Sequence, residues 1–233
     1  MVDFHSHILP AMDDGSESVE QSVEMLAAMQ AQGVDTVVAT PHFDMRQENP
    51  EQFLARRQES LEKLQGESLP DIRLIPGAEV LYCGVPLYRY ENLDKVCIGD
   101  TRYLLIETLF PVWTEEFRQD LQYLMMERNI VPILAHIERY YFIRKNRSMI
   151  RDLRREGALL QMNAEAFLHP KTRRRALKIF NKESVHILGS DCHNLTQRPP
   201  NLGAAVALMQ RQMGGEVLDW FAQQAETILG DCS

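Results

Sequence analysis

The sequence predicts an α/β protein folded as a distorted seven-stranded β/α barrel, TIM-like in plan, and three observations carry that reading. Short continuous apolar runs alternate with longer stretches of helical periodicity, the pattern of a parallel sheet covered on both faces. Seven such runs occur, one fewer than the eight strands of a standard barrel. No low-complexity tract, repeat or Gly-, Ser- or Pro-rich linker divides the chain, so residues 1–233 are expected to form a single domain. An open doubly wound sheet is the second arrangement compatible with this alternation.

In chain order, "MVDF" is the first strand, and a helix over 17–32 follows. Val19, Val23, Met25, Leu26 and Met29 give that helix an apolar face, and Gly33 stops it. "TVVA" (36–39) is the second strand, followed by a polar helix over 51–64. "IRLIPGAEV" holds the third strand near 73–77, after which the irregular stretch 82–98 is expected to disturb the ring. "YLLIE" (103–107) is the fourth strand and 115–128 a helix. "VPILAH" (131–136), "LLQMN" (159–163) and "VHILGSD" (185–191) complete the seven, separated by helices over 147–156 and 172–182. Helices over 202–213 and 216–229 close the chain.

Composition narrows the function classes. A hydrophobic fraction of 45% with 25% charged residues is that of a soluble globular protein. The net charge of -8, with no basic stripe laced with aromatics, argues against a nucleic-acid partner. Cys83, Cys97, Cys192 and Cys232 are scattered without a C-x-x-C pair, and the opening residues, interrupted by Asp3 and His5, are not expected to act as a secretory leader. Reduced thiols in a cytoplasm are the expectation. No apolar run approaches the ~20 residues that span a bilayer, so the protein is not expected to be membrane-embedded.

The chemistry lies at the strand ends. "DFHSHILPAMDDG" places His5 and His7 at the end of the first strand and Asp14 in the loop beyond. His-x-His alone reads equally as a ligand pair or as two polar residues sharing one strand face. "ATPHF" ends the second strand near His42; the third leads to Glu79, the fourth ends at Glu107, the fifth at His136, and the seventh delivers Asp191 and His193. Singly, each carboxylate reads as a polar strand terminus or a turn residue. Together, nine such residues at the carboxyl ends of six strands share one rim, where a parallel barrel gathers its reactive groups. Imidazole and carboxylate without thiolate suit Zn, Mn or Fe better than Ca or Mg, and nine ligands are enough for two or three ions. Such a cluster lowers the pKa of bound water towards ~7 and stabilises the attacking and leaving oxygens at phosphorus.

Arg139, three residues after His136, and Arg198, five after His193, lie on loops leaving this rim. A surface charge is the commoner fate of arginine, but here a bidentate grip on phosphate is the expectation. Cys192 stands between Asp191 and His193 without a phosphatase cysteine signature around it and is expected to point away from the metals. His169, before Pro170, and His186, at the start of a strand, are read as structural.

The motifs "DFHSHILPAMDDG", "TPHF", "PGAEV", "LIE", "AHIERY" and "SDCHNLTQRPPN" resemble those of the PHP (polymerase and histidinol phosphatase) superfamily. Within it, the first and the last two resemble the bacterial capsule- and exopolysaccharide-associated manganese-dependent protein-tyrosine phosphatases. The similarity runs from residue 2 to about residue 230. It implies a PHP-type distorted barrel with two or three divalent ions at its rim, Mn2+ first and Fe or Zn after it. It further implies hydrolysis of phosphotyrosine on the tail of a bacterial tyrosine autokinase that controls polysaccharide export. By the same resemblance His5, His7, Glu79 and Asp191 hold one ion, and Glu79 bridges to a second completed by Glu107 and His136. Asp14, His42 and His193 hold a third, and Arg139 and Arg198 bind phosphate. A histidinol-phosphatase-like phosphomonoesterase and a phosphotyrosine reader without turnover are the alternatives.

Overall fold

Two of the predicted strands resume after a short break and run on, beyond their expected ends, without losing register. In the computed structural model of the chain, residues 1–230 are described, and Cys232 lies outside them. The strands are β1 (Val2–Ser6), β2 (Thr36–Ala39), β3 (His42–Asp44), β4 (Arg73–Pro76), β5 (Glu79–Tyr82), β6 (Tyr103–Thr108), β7 (Val131–Leu134), β8 (Leu159–Asn163) and β9 (Ile187–Gly189). β2 lies parallel to β4 with Thr36 opposite Arg73, and β3 parallel to β5 with His42 opposite Glu79, the same offset of 37 residues. Pro41, which has no N–H to give to a ladder, separates β2 from β3. Gly77 lies between β4 and β5 and donates its N–H to Ala39 O at 2.8 Å. Nine assigned strands therefore make the seven predicted staves.

The staves run in chain order around a curled, wholly parallel sheet. The first and last meet, with Asp191 N–H donating to His5 O at 2.8 Å and His7 N–H to Cys192 O at 2.9 Å. A Cβ on Gly189 would stand 2.3 Å from His5 Cβ, so only glycine lets these backbones approach. Between β4 and β6 the ladder is replaced by a turn: Gly99 N–H donates to Pro76 O at 2.7 Å and Ile98 N–H to Tyr103 O at 2.9 Å. The expected disturbance is here. Two short 3-10 turns, Leu87–Arg89 and Leu93–Val96, precede it and bury Leu87, Leu93 and Val96.

The helices are α1 (Val19–Gln30), α2 (Pro50–Gln65), α3 (Glu115–Glu127), α4 (Ile137–Tyr140), α5 (Arg144–Glu156), α6 (Glu165–Leu168), α7 (Pro170–Glu183), α8 (Leu202–Met213) and α9 (Glu216–Leu229). Local chemistry sets their starts. Ser18 and Thr114 cap α1 and α3, Asn49 and Gln52 form a capping box on α2, and Pro170 opens α7. The single-turn helices α4 and α6 were not expected from periodicity, because four residues carry no helical pattern. No helix of the described residues is long and apolar enough to cross a membrane.

Inside the ring, Phe4, Val38, Ile75, Leu105, Ile133 and Ile187 from six staves form one buried cluster that also includes Ile228 of α9. Stepping along each strand by two keeps the same face. From Val38 that step passes Thr40 to His42, from Ile75 Gly77 to Glu79, from Ile187 Gly189 to Asp191, and from Leu105 it arrives at Glu107. An apolar plug thus carries a polar layer above it. The charge is unevenly spread: residues 144–183 hold twelve of the chain's 25 Lys and Arg and only four of its 33 carboxylates, while Phe167 and Phe180, the aromatics of this segment, are buried. An overall charge of -8 masked it by averaging.

Candidate metal centre

All nine predicted rim residues converge. His5 Nε2 lies 3.2 Å from His7 Nε2 and 3.2 Å from Glu79 Oε2. The same Glu79 oxygen is 3.4 Å from His7 Nε2 and 3.0 Å from His42 Nδ1, while Glu79 Oε1 is 2.7 Å from His136 Nε2. Glu107 Oε1 stands 3.7 Å from His136 Nε2. Asp191 Oδ1 lies 3.4 Å from His7 Nε2 and 3.7 Å from His5 Nε2. Asp14, more exposed than the rest, reaches His193 Nε2 at 3.3 Å and His42 Nε2 at 3.5 Å.

These atoms fit divalent ions. Glu79 Oε2 is buried without a hydrogen-bond donor, although three imidazole nitrogens surround it. A buried carboxylate oxygen left so is costly unless a cation compensates it. Ligands each about 2.1 Å from one ion stand roughly 3–3.5 Å from one another, the spacing that recurs here. Among the described residues, four groups of potential ligand atoms each lie within 4.8 Å of one another: His7, Asp14, His42 and His193; His5, His7 and Asp191; His5, Glu79 and His136; His42, Glu79 and Glu107. Proximity places Glu107 with His42 as well as near His136, so the sets overlap through Glu79.

The electrostatics follow from burial and crowding. Burial favours a neutral Glu79, yet the imidazoles of His5 and His136 hold its carboxyl well below the usual range. Burial likewise works against a charged His136, but Glu79 outweighs it and raises that imidazole to about 9. His193 is pushed down to about 4 by burial and by the positive charges of His7 and Arg198. Protons thus hold part of this cluster together, and ligand-bound cations displace such protons.

Supporting residues fix the geometry, and three of them were missed from sequence. Asp13 Oδ2 is 2.7 Å from His7 Nδ1 and accepts the His42 N–H at 2.8 Å. Asn163 at the end of β8 bonds His136 Nδ1 at 2.9 Å and donates to Asp191 Oδ2 at 2.6 Å, so the stave that brings no rim residue supports two that do. Gln161 Oε1 accepts the His136 N–H at 2.8 Å, holding that residue in its left-handed conformation, φ 48°. Asp13 was signalled by the Asp doublet and Asn163 by a polar end to an apolar strand. Such partners orient imidazoles and commonly matter nearly as much as ligands.

Arg139 and Arg198 both reach the rim. Their NH2 atoms lie 2.9 and 2.7 Å from Asp191 Oδ2, with side chains 46% and 38% exposed. Cys192 is buried, its thiol pushed up by burial, and belongs to none of the four ligand sets. His169 caps α7 through Nδ1, and His186 Nδ1 accepts the Leu160 N–H at 3.0 Å, both structural tasks.

A parallel β/α ring with a buried imidazole–carboxylate cluster on its rim and two half-exposed guanidiniums beside it belongs to the class of metal-dependent phosphatases. The family described as capsular polysaccharide synthesis, CpsB/CapC, matches residues 1–230, and the chain belongs to it. The tyrosine-protein phosphatase CpsB of Streptococcus pneumoniae is 32% identical over 93% of this chain and 92% of its own length. The tyrosine-protein phosphatase YwqE of Bacillus subtilis is 29% identical over 98% and 91%. A crystal structure reported for YwqE and CpsB as unique metal-dependent tyrosine phosphatases superposes with a TM-score of 0.84 at 28% identity, covering 98% of this chain and 94% of that one. A putative histidinol phosphatase of Listeria monocytogenes shares the fold at TM-score 0.51 and 11% identity, over 83% and 95%. The barrel is of the PHP type.

Proposed function

We propose that this protein hydrolyses phosphotyrosine on the tail of a bacterial tyrosine kinase governing capsule or exopolysaccharide production, using two or three divalent ions, Mn2+ first among them. The observation that carries the reading is Glu79 Oε2, buried and without a donor among three imidazoles, beside two arginines that face solvent. His5, His7, Asp14, His42, Glu79, Glu107, His136, Asp191 and His193 are the ligands in this reading. The ions, when bound, supply Lewis acidity and activate water near neutral pH. Arg139 and Arg198 turn from Asp191 to grip the phosphoryl oxygens as charge builds on them. Asn163 and Asp13 keep His136 and His7 aimed. Tyrosine, with a pKa of ~10, leaves with less need of a proton than an alkoxide would have. The reaction belongs in the cytoplasm, where thiols such as Cys97 and Cys192 stay reduced.

Chelated protein should lose turnover of a phosphotyrosine peptide, and Mn2+ should restore it better than Zn2+, Fe2+ or Mg2+. Turnover by protein verified as metal-free would refute the metal reading. Faster hydrolysis of histidinol phosphate than of the peptide would refute the substrate, and tight peptide binding without phosphate release would make the protein a reader.

A further inference from the structure

Helices α5 and α7 follow consecutive staves and start at the rim end, since α5 follows β7 through α4 and α7 follows β8 through α6. Between them runs a cleft of about 460 Å³. Its charged lining is wholly basic: Arg147, Lys171, Arg174, Arg175, Lys178 and Lys182. Two aromatic residues that directly follow α4 complete one wall. The Arg147 guanidinium lies 5.0 Å from the centre of the Tyr141 ring, and that of Arg175 lies 4.2 Å from that of Phe142, which is 47% exposed. Among the described residues, none of the six cations has a carboxylate within ion-pair distance, whereas Arg118, Arg139 and Arg198 all do. Glu183, the nearest acidic residue on α7, is buried and takes its hydrogen bond from Tyr141.

Six unpaired cations around one cleft repel one another, and an anionic occupant relieves that repulsion. We propose that this cleft docks an acidic stretch of the substrate peptide while the phosphotyrosine of the same peptide sits at the metal rim, a proposal that rests on the phosphotyrosine reading above. Continuity argues for a peptide. Tyr141 stands two residues beyond Arg139, so a chain leaving the rim along α4 enters the cleft directly. A nucleic acid would need a longer basic track with repeated stacking surfaces, and the cleft is bounded. The exposed arginines and lysines supply charge attraction and stem contact without a deep pocket, which suits several side-chain carboxylates in variable order.

The test compares two phosphotyrosine peptides, one with Asp and Glu flanks and one with Ser and Gly flanks, together with p-nitrophenyl phosphate. The enzyme is used as wild type and as the double variant Arg174→Glu/Lys178→Glu. At low salt the wild type should show a KM for the acidic peptide roughly 5–10-fold below that for the neutral one, the scale of two or so exposed charge contacts. The variant should erase that difference, as should high salt, with kcat and p-nitrophenyl phosphate turnover unchanged. Equal KM values in the wild type, or a difference that survives in the variant, would overturn the proposal. Fluorescence anisotropy with an acidic peptide carrying Phe in place of phosphotyrosine separates docking from catalysis. Binding lost in the variant supports docking even if neither phosphopeptide is hydrolysed, in which case the phosphatase reading alone falls. Vesicles of phosphatidylcholine with a minor share of phosphatidylserine, or a single-stranded oligonucleotide, bound by the wild type in place of the acidic peptide would overturn it in favour of those partners.

Discussion

Strands β1 and β9 contribute to both ends of the barrel, and the two ends differ in kind. At the lower end Val2, Phe4, Ile187 and Leu188 line an apolar cavity of about 390 Å³ beneath Leu218 and Phe221 of α9. At the upper end the same two staves present His5, His7, Asp191 and His193. Truncating a lower residue leaves a hole, which costs stability in proportion to its size. Truncating an upper residue unbalances a cluster of buried charge. The histidines show the same contrast: His136 at the rim is raised to about 9 beside Glu79, while His186 below is lowered to about 4 by burial and the positive charge of Arg154. Function and stability thus occupy opposite ends of the same strands, as is usual for parallel barrels.

The largest effect is expected at Glu79, on the rim. Glu79→Gln should lower kcat by on the order of 10³-fold or more, because several kcal/mol of Lewis-acid stabilisation depart with the ions. Metal content should fall with it while the circular-dichroism spectrum stays native. Arg139→Ala and Arg198→Ala should each cost about 10²–10³ in kcat with metal content unchanged, and Lys at either position should rescue only partly. An unchanged kcat/KM in both Ala variants would remove the arginines from the phosphate site. Asp13→Ala and Asn163→Ala should weaken metal affinity by about 10–100-fold, read by titration against a chelator, since they orient ligands without being ligands.

The other end answers in stability alone. Ile187→Val should cost about 0.5–1.5 kcal/mol by denaturant unfolding, with activity per folded molecule unchanged. His186 gives the smallest and most specific effect. Its imidazole is neutral in the fold down to about pH 4, whereas the unfolded chain protonates it near its ordinary value of 6.5. Its stabilisation is therefore complete above pH 6.5 and lost as the pH falls towards 4. Asn can keep the acceptor for the Leu160 N–H without titrating. The stability of His186→Asn should thus fall less than that of wild type over this window.

The seven staves were legible because strands buried on both faces of a parallel sheet read as short continuous apolar runs between helical stretches. The nine rim residues were legible because imidazoles and carboxylates recur at, or just beyond, the carboxyl ends of six of those runs. The breaks at Pro41 and Gly77 were hidden, since paired breaks that preserve register depend on two segments 37 residues apart. Asp13 and Asn163 escaped because their value lies in a partner's orientation, which distant contacts decide. Helices α5 and α7 were recognised but started late: Arg144 and Lys145 look like loop residues until the turn at Ile143 is known. Their shared basic face escaped because charge was summed over the chain.

The seam where Asp191 hydrogen-bonds His5 joins residues that are 186 positions apart. During synthesis the two rim histidines of the first stave precede their partners on the last by at least 184 residues of chain. Closing so long a loop is slow relative to local helix formation. A growing chain therefore carries the histidines of its first stave without their β9 partners until the last stave has been made. A fragment that ends before the last stave lacks the seam and the two rim residues, Asp191 and His193, that this stave brings.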